Sequence, residues 1–193
     1  VSKSINKFKS NAKFDLSFVD SSHINLNTDF KQKLCDCINQ FKPSFIVNAA
    51  AFTAADAAEK NIDSAMQING YAVGIIAKLC SKFNIPLFHY STDYVFGDNG
   101  SDFLSPKYKK NPLGAYGKSK LLGEELINQM VSKNNLKAII LRISWVFSEN
   151  ENNFVNTILN LSKYKDHLRI INDQFGGPTS SDSVAIATIE TIN

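Results

Sequence analysis

At 193 residues, 44% apolar and 20% charged, the chain has the length and composition of one ordinary globular domain with a substantial core. A formal charge of +3 and scattered lysines argue against a nucleic-acid partner, and even Lys107, Lys109 and Lys110 read as a solvated loop. Cys35, Cys37 and Cys80 form neither a disulfide framework nor a zinc spacing, so reduced thiols, no metal and a cytoplasmic location are expected, and no apolar run reaches the ~18 residues of a membrane span.

Residues 2–8 place Ile5 and Phe8 three apart and predict a helix. Residues 14–19 (FDLSFV) alternate apolar and polar and predict a short strand, followed by a turn at 21–27. Phe30, Leu34, Ile38 and Phe41 make a helical stripe over residues 29–41, with Asp29 or Thr28 as cap and Pro43 as the stop. Residues 45–47 predict an apolar strand ending in the small residues 48–51. Such an end lets a ligand approach the backbone closely, although helix-former content alone also explains the alanines. Acidic residues in 56–59 open a helix, and 65–83 continues helically on Met66, Ile68, Ala72, Ile75, Ile76, Leu79 and Phe83.

Pro86 starts a strand over 87–90 that delivers Ser91 and Thr92 to its carboxyl end, the edge at which open parallel sheets bind ligands. His89 on this strand reads as a packed or backbone-bonded imidazole rather than a catalytic one. Residues 97–111 are a loop of turn formers, expected to cover a ligand. A helix over 115–133 follows, then a strongly apolar strand over 138–143 that ends at Ser144-Trp145. Residues 154–161 predict a helix, 168–171 a strand and 174–179 a Gly/Pro loop. This alternation predicts an α/β fold with a doubly wound parallel sheet, undivided by any linker.

The chemistry gathers between residues 89 and 120, from HYSTDYVFGDNG to YGKSK. A phenol has an unperturbed pKa of about 10. Lys120 lies four residues after Tyr116, on the same helix face, and an ammonium beside a phenol lowers that pKa toward working pH. Thr92 is then placed to hold a substrate oxygen while Tyr116 gives or takes its proton. A Tyr-x-x-x-Lys pair alone is as easily a packed tyrosine and a solvated lysine. The hydroxyl pair at the strand end is what gives it weight.

STDYVF, the segment PLGAYGKSKLLGE (112–124) and LRISWVF (141–147) resemble the dTDP-4-dehydrorhamnose reductases, which are NAD(P)H-dependent members of the extended short-chain dehydrogenase/reductase family. VNAAAFTAADAAE (47–59) and INDQFGGPTS (171–180) look like two further blocks of the same family, in the same order. The resemblance implies a Rossmann-like NAD(P)-binding domain over residues 1–193, with 144–193 running toward a substrate-binding portion. It implies that Ala50, Ala51, Phe52 and Thr53 line the nicotinamide nucleotide. An acidic residue near the adenine in that family matches Asn25 here, followed by Leu26, or Asn27 with a one-residue slip. Tyr116 and Lys120 would contact the cofactor, NADPH or NADH, and Lys120 would bond its ribose. Thr92, Asp93 and Trp145 would meet the sugar, Trp145 as an apolar wall; a partly buried core indole is the plainer reading of that tryptophan. Against the same family the chain reads as a fragment truncated at both ends, starting after the Gly-rich phosphate turn, so that alone it is expected to bind the cofactor weakly and to be inactive.

The reaction implied is reduction of the C4 keto group of dTDP-4-dehydro-L-rhamnose to dTDP-L-rhamnose, a step of deoxysugar and polysaccharide precursor synthesis. A nucleotide-sugar epimerase or dehydratase that holds NAD permanently is one alternative. A non-catalytic regulator resembling the beta subunit of methionine adenosyltransferase is another, and Ser144-Trp145 favours the reductase over it. A dTDP-sugar is the expected partner, a homodimer is compatible with the sequence, and neither nucleic acid nor membrane is expected.

Overall fold

The computed structural model describes residues 1–8, 14–97, 104–149 and 153–193, which group into two compact units: residues 17–142, and residues 1–16 together with 143–193. The chain enters through α1 (Ser2–Lys7), which belongs to the smaller unit, close to the helix expected over 2–8.

Residues 14–19 are irregular, against the expected strand. Alternation records which side chains could share a face, whereas a strand exists only where the backbone pairs, and this segment joins neither sheet. In the larger unit, α2 (Lys31–Phe41) starts from Phe30 with no side-chain cap. The expected cap, Thr28, donates its hydroxyl to the Asn25 carbonyl at 3.0 Å and closes the preceding turn instead. Burial of the Phe30 ring fixes where this helix begins. It ends at Lys42 in the left-handed conformation (φ 46°), immediately before Pro43.

Three strands follow: β1 (Ile46–Asn48), β2 (Leu87–Thr92) and β3 (Ala138–Ile143), in the order β1-β2-β3. β1 and β2 are parallel, with Ile46 opposite Leu87, Val47 opposite Phe88 and Asn48 opposite His89. β2 is central and buried at all six positions, as a parallel strand covered on both faces must be. Between β1 and β2 run α3 (Ala55–Lys60), α4 (Ile62–Met66), a wide π turn (Gln67–Tyr71) and α5 (Ala72–Lys82). The single helix expected over 65–83 is therefore interrupted by a π turn, which apolar spacing does not register. After β2 come a 3-10 turn (Asp93–Phe96) and α6 (Ala115–Asn134).

Phe30, Val73, Ile76, Cys80, Leu87, Ile127 and Leu136 fill the main core of this unit. α6 approaches the π turn so closely that a Cβ at Gly123 would run into the carbonyl oxygen of Asn69. Glycine is required there by backbone contact. Cys80 is fully buried, and burial pushes its thiol pKa up to about 12.

In the smaller unit β4 (Val146–Phe147) pairs in parallel with β5 (Thr179–Ser180), with α7 (Phe154–Leu161) between them. Residues 168–171 form no strand, contrary to expectation; their apolar residues include the half-exposed Ile170 and the exposed Ile171, with no ladder to pair into. α8 (Ser181–Ile192) follows, its first turn capped by the Ser180 side chain, which accepts from Asp182 N–H at 3.2 Å. α1 packs on α8 through a buried Ser4–Ser181 hydroxyl pair at 2.9 Å and an exposed Lys7–Asp182 ion pair at 2.6 Å. No helix among the described residues is long and apolar enough to cross a membrane.

Candidate active site

β1 and β2 run in parallel, so their carboxyl ends open on the same edge of the sheet, which places residues 49–53 beside Thr92 and Asp93. α6 brings Tyr116 and Lys120 to this edge. Its N-terminus is held by Glu59 of α3, whose Oε1 accepts the Ala115 N–H at 2.7 Å.

Thr92 is the end of a buried strand. Its hydroxyl donates to Asp93 Oδ1 at 3.1 Å and accepts from Tyr94 N–H at 3.3 Å. It lies close enough to the Tyr116 phenol to influence its ionisation. The Tyr116 ring stands edge-on to Tyr94, with centroids 5.4 Å apart, and packs with Phe52 against the buried alanines Ala58, Ala65 and Ala115. Burial is the largest influence on the phenol and pushes its pKa above 10; Thr92 opposes this, while Asp93 and Tyr94 add to it.

The lowering that Lys120 was expected to cause is therefore not what the fold produces. Lys120 is 2% exposed and aims its ammonium back into the sheet, donating to the Tyr90 carbonyl at 2.6 Å. Burial lowers its own pKa to about 8, partly countered by Glu124 one turn further along α6. Spacing of four put Lys120 on the right helix face, but the side chain reaches β2 rather than the phenol.

His89 is buried as expected, though its partners are side chains. Asn48 turns its Oδ1 to the Ala50 N–H at 3.2 Å, which leaves its Nδ2 to donate to His89 Nδ1 at 3.1 Å. The other ring nitrogen, Nε2, lies 3.5 Å from Lys120 Nζ. Burial and the nearby Lys120 hold the His89 pKa well below 6.5, so it is neutral.

The loop over 49–53 is fixed by a residue from the π turn. Asn69 accepts the Phe52 N–H at 2.8 Å and donates to the Phe52 carbonyl at 3.0 Å, as a paired strand would. Its amide also donates to Ser119 Oγ at 3.0 Å, and Ser119 donates to the Tyr116 carbonyl at 2.7 Å. One buried amide thus ties the loop to the helix turn that carries Tyr116. Asn69→Ala is expected to cost roughly 1–3 kcal/mol, because it strips partners from buried polar groups; urea unfolding reads this, and an unchanged midpoint would remove Asn69 from that role.

Ala50 and Thr53 are exposed in this loop, while Ala51 and Phe52 are half-buried. Asn25 lies in an exposed turn with local bonds, its Oδ1 accepting the Asn27 N–H at 3.0 Å. Leu26 packs its side chain against the main core, and its carbonyl accepts from Gln67 at 3.4 Å. Trp145 belongs to the smaller unit, 43% exposed and with φ 44°. Of the expected covering loop, residues 98–103 lie outside the described residues.

Two charged residues beside this site, Glu124 and Arg142, pair with each other, a role the sequence alone did not assign. Glu124 is 0% exposed and is gripped by Arg142 through Nε to Oε1 at 2.8 Å and Nη2 to Oε2 at 2.7 Å, with Lys110 at 3.6 Å. Arg142 also donates to the Pro106 carbonyl at 3.1 Å and lies over the Phe96 ring at 4.9 Å. Two signals were available: Glu124 extends the Tyr116–Lys120 stripe by another four residues, and Arg142 is a lone charge in an apolar strand. Among the described residues no group of three His, Cys, Asp or Glu side chains could hold a metal ion.

The chain is 39% identical over 184 residues to a dTDP-4-dehydrorhamnose reductase of Aggregatibacter actinomycetemcomitans, a match covering 93% of this chain and 59% of that protein. The crystal structure of a dTDP-4-dehydrorhamnose reductase from Clostridium acetobutylicum superposes with a TM-score of 0.89 at 30% identity, over 98% of this chain and 65% of that one. That of the Bacillus anthracis enzyme in complex with NADP gives 0.85 at 27%, over 93% and 62%. The chain thus spans somewhat over half the length of the relatives it matches. With the family model for the RmlD substrate binding domain matching residues 4–193, the chain belongs to that family.

Proposed function

We propose that this chain carries the reacting groups of an NAD(P)H-dependent dTDP-4-dehydrorhamnose reductase, which reduces the C4 ketone of dTDP-4-dehydro-L-rhamnose to dTDP-L-rhamnose. The observation that carries this reading is Thr92, Tyr116 and Lys120 gathered at the carboxyl end of the central strand. The similarity to named reductases, one of them bound to NADP, supports it. Residues 17–142 are read as the cofactor-binding part and 144–193 as leading toward the sugar.

The small side chains at 50 and 51 leave the loop backbone approachable for the nicotinamide half of the cofactor, and Lys120 is assigned to its ribose hydroxyls, which its ammonium meets by turning from the Tyr90 carbonyl. Phe52 and Thr53 complete that loop, and Asn25 with Leu26 is assigned to the adenine end. The cofactor, when bound, supplies the hydride. Tyr116 supplies the proton. A phenol whose pKa is raised stays protonated at neutral pH, which is the form needed to give a proton to the oxygen at C4. Thr92 holds that oxygen and orients the phenol, with Asp93 beside it, and Trp145 lends an apolar face to the sugar ring. We assign the reaction to the cytoplasm and leave the assembly as a monomer or homodimer. The test is direct: the protein carrying this chain, given NADPH and dTDP-4-dehydro-L-rhamnose, should consume both and form dTDP-L-rhamnose. Tightly held NAD with interconversion of nucleotide-sugar epimers would defeat the proposal.

Lys120 supplies a pH signature. Its ammonium is present below and lost above about pH 8, so kcat/KM for NADPH should fall as pH rises through that value. Lys120→Met should raise KM for NADPH and abolish that limb. A limb that survives the substitution belongs to another group.

A further inference from the structure

We propose that Gly176 is a positioning residue for Trp145: the side chain it lacks is the space the indole occupies. The proposal rests on the reading of Trp145 as the wall of the sugar site. The Trp145 backbone is held in the left-handed region (φ 44°), which bulky residues rarely adopt. Its carbonyl accepts the Thr179 N–H at 3.2 Å, and the pairing of Val146 with Thr179 begins at the next residue. The backbone that leaves residues 174–178 is therefore tied to Trp145.

The indole is 43% exposed, so burial in a core does not set its plane. Gly176 does. A Cβ there would lie 2.6 Å from Cε2, 2.9 Å from Nε1 and 3.0 Å from Cζ2 of the ring, the first two closer than Cβ atoms come to anything. The backbone of Gly176 is not in the left-handed region, where Gly97 is the one described glycine, so its conformation would admit other residues. The indole is what demands glycine. Gly177 makes the comparison clean: a Cβ there meets nothing within 4 Å, and its φ is equally ordinary. One side of the ring system lies against the loop backbone, and the exposed remainder is offered to a ligand with an apolar C–H face, as a deoxysugar has.

The sequence contains one tryptophan, so its emission reports this ring alone. Gly176→Ala should shift the emission maximum and change quenching by acrylamide, while Gly177→Ala overlays the parent chain and both keep its far-ultraviolet circular dichroism. In the protein that carries this chain, affinity for dTDP-L-rhamnose should fall roughly three- to tenfold for Gly176→Ala alone. If Gly176→Ala lowers the melting temperature instead, adding Trp145→Phe should restore it, because the smaller ring vacates the contact. Unchanged emission in Gly176→Ala, an equal change in Gly177→Ala, or no restoration by the second substitution overturns the proposal. Shifted emission with unchanged sugar affinity keeps Gly176's hold on the ring and removes Trp145 from the sugar site.

Discussion

Tyr116→Phe in the protein carrying this chain is expected to lower turnover by ~10²-fold or more while leaving NADPH affinity nearly intact. The substitution deletes one transferable proton and the phenol's interaction with Thr92. It keeps the ring, so the contacts with Phe52, Ala58, Ala65 and Ala115 survive and the fold should lose no more than about 1 kcal/mol. The loss should appear in kcat and in kcat/KM for the sugar together, as for an interaction made only in the transition state. Turnover within about threefold of the parent would exclude Tyr116 as the acid. Because burial raises this phenol above its ordinary value, its own ionisation should not limit the rate near neutral pH. Any alkaline limb near pH 8 is then assigned to Lys120.

The second large effect is structural. Arg142→Met should destabilise the protein by roughly 3–5 kcal/mol, since it strands a fully buried carboxylate. That is a large share of the 5–15 kcal/mol typical of a whole domain. The pH dependence has a fixed sign. Burial pushes the Glu124 pKa up, but the Arg142 bonds and charge outweigh it, aided by Lys110, and hold it net below the ordinary carboxylate value. In the parent, this stabilisation is fully present above the unfolded pKa of ~4.3 and is lost as pH falls through the lower folded value. In the variant the carboxylate, left with Lys110 at 3.6 Å, titrates higher and becomes tolerable once protonated. The stability gap between the two should therefore be widest near neutral pH and narrow toward pH 4. A constant gap measured by urea unfolding would mean that lost packing on Phe96 and Pro106, not charge, is responsible. Glu124→Gln carries the argument to the site: with the carboxylate gone, the Lys120 limb should move below pH 8.

The limits of the sequence reading follow from what each signal measures. β3 and α7 were legible to the residue, because an apolar run broken only by Arg142 and an eight-residue amphipathic stretch each have one economical solution. Segments 14–19 and 168–171 carry β-like composition but were misread, since pairing depends on a partner strand far away in sequence. α8 went unread although Ser180 and Asp182 mark its start. Thr92, Tyr116 and Lys120 could be picked out by residue type and spacing. What Lys120 points at could not, because its direction is set by the Tyr90 carbonyl on another element. The partners of Asn48, His89 and Asn69 were hidden for the same reason: each lies 17 to 50 residues away.

Cys80 gives the packing of α5 on α6 a clock. Alkylating reagents attack thiolates, and a thiol with a pKa of about 12 in a fully buried position has almost none to offer. The residue reacts when the helix lifts away and the thiol regains water. Cys35 and Cys37 are only half-buried on α2 and stand outside that gate. The slow component of thiol labelling therefore counts the openings of the core around Cys80.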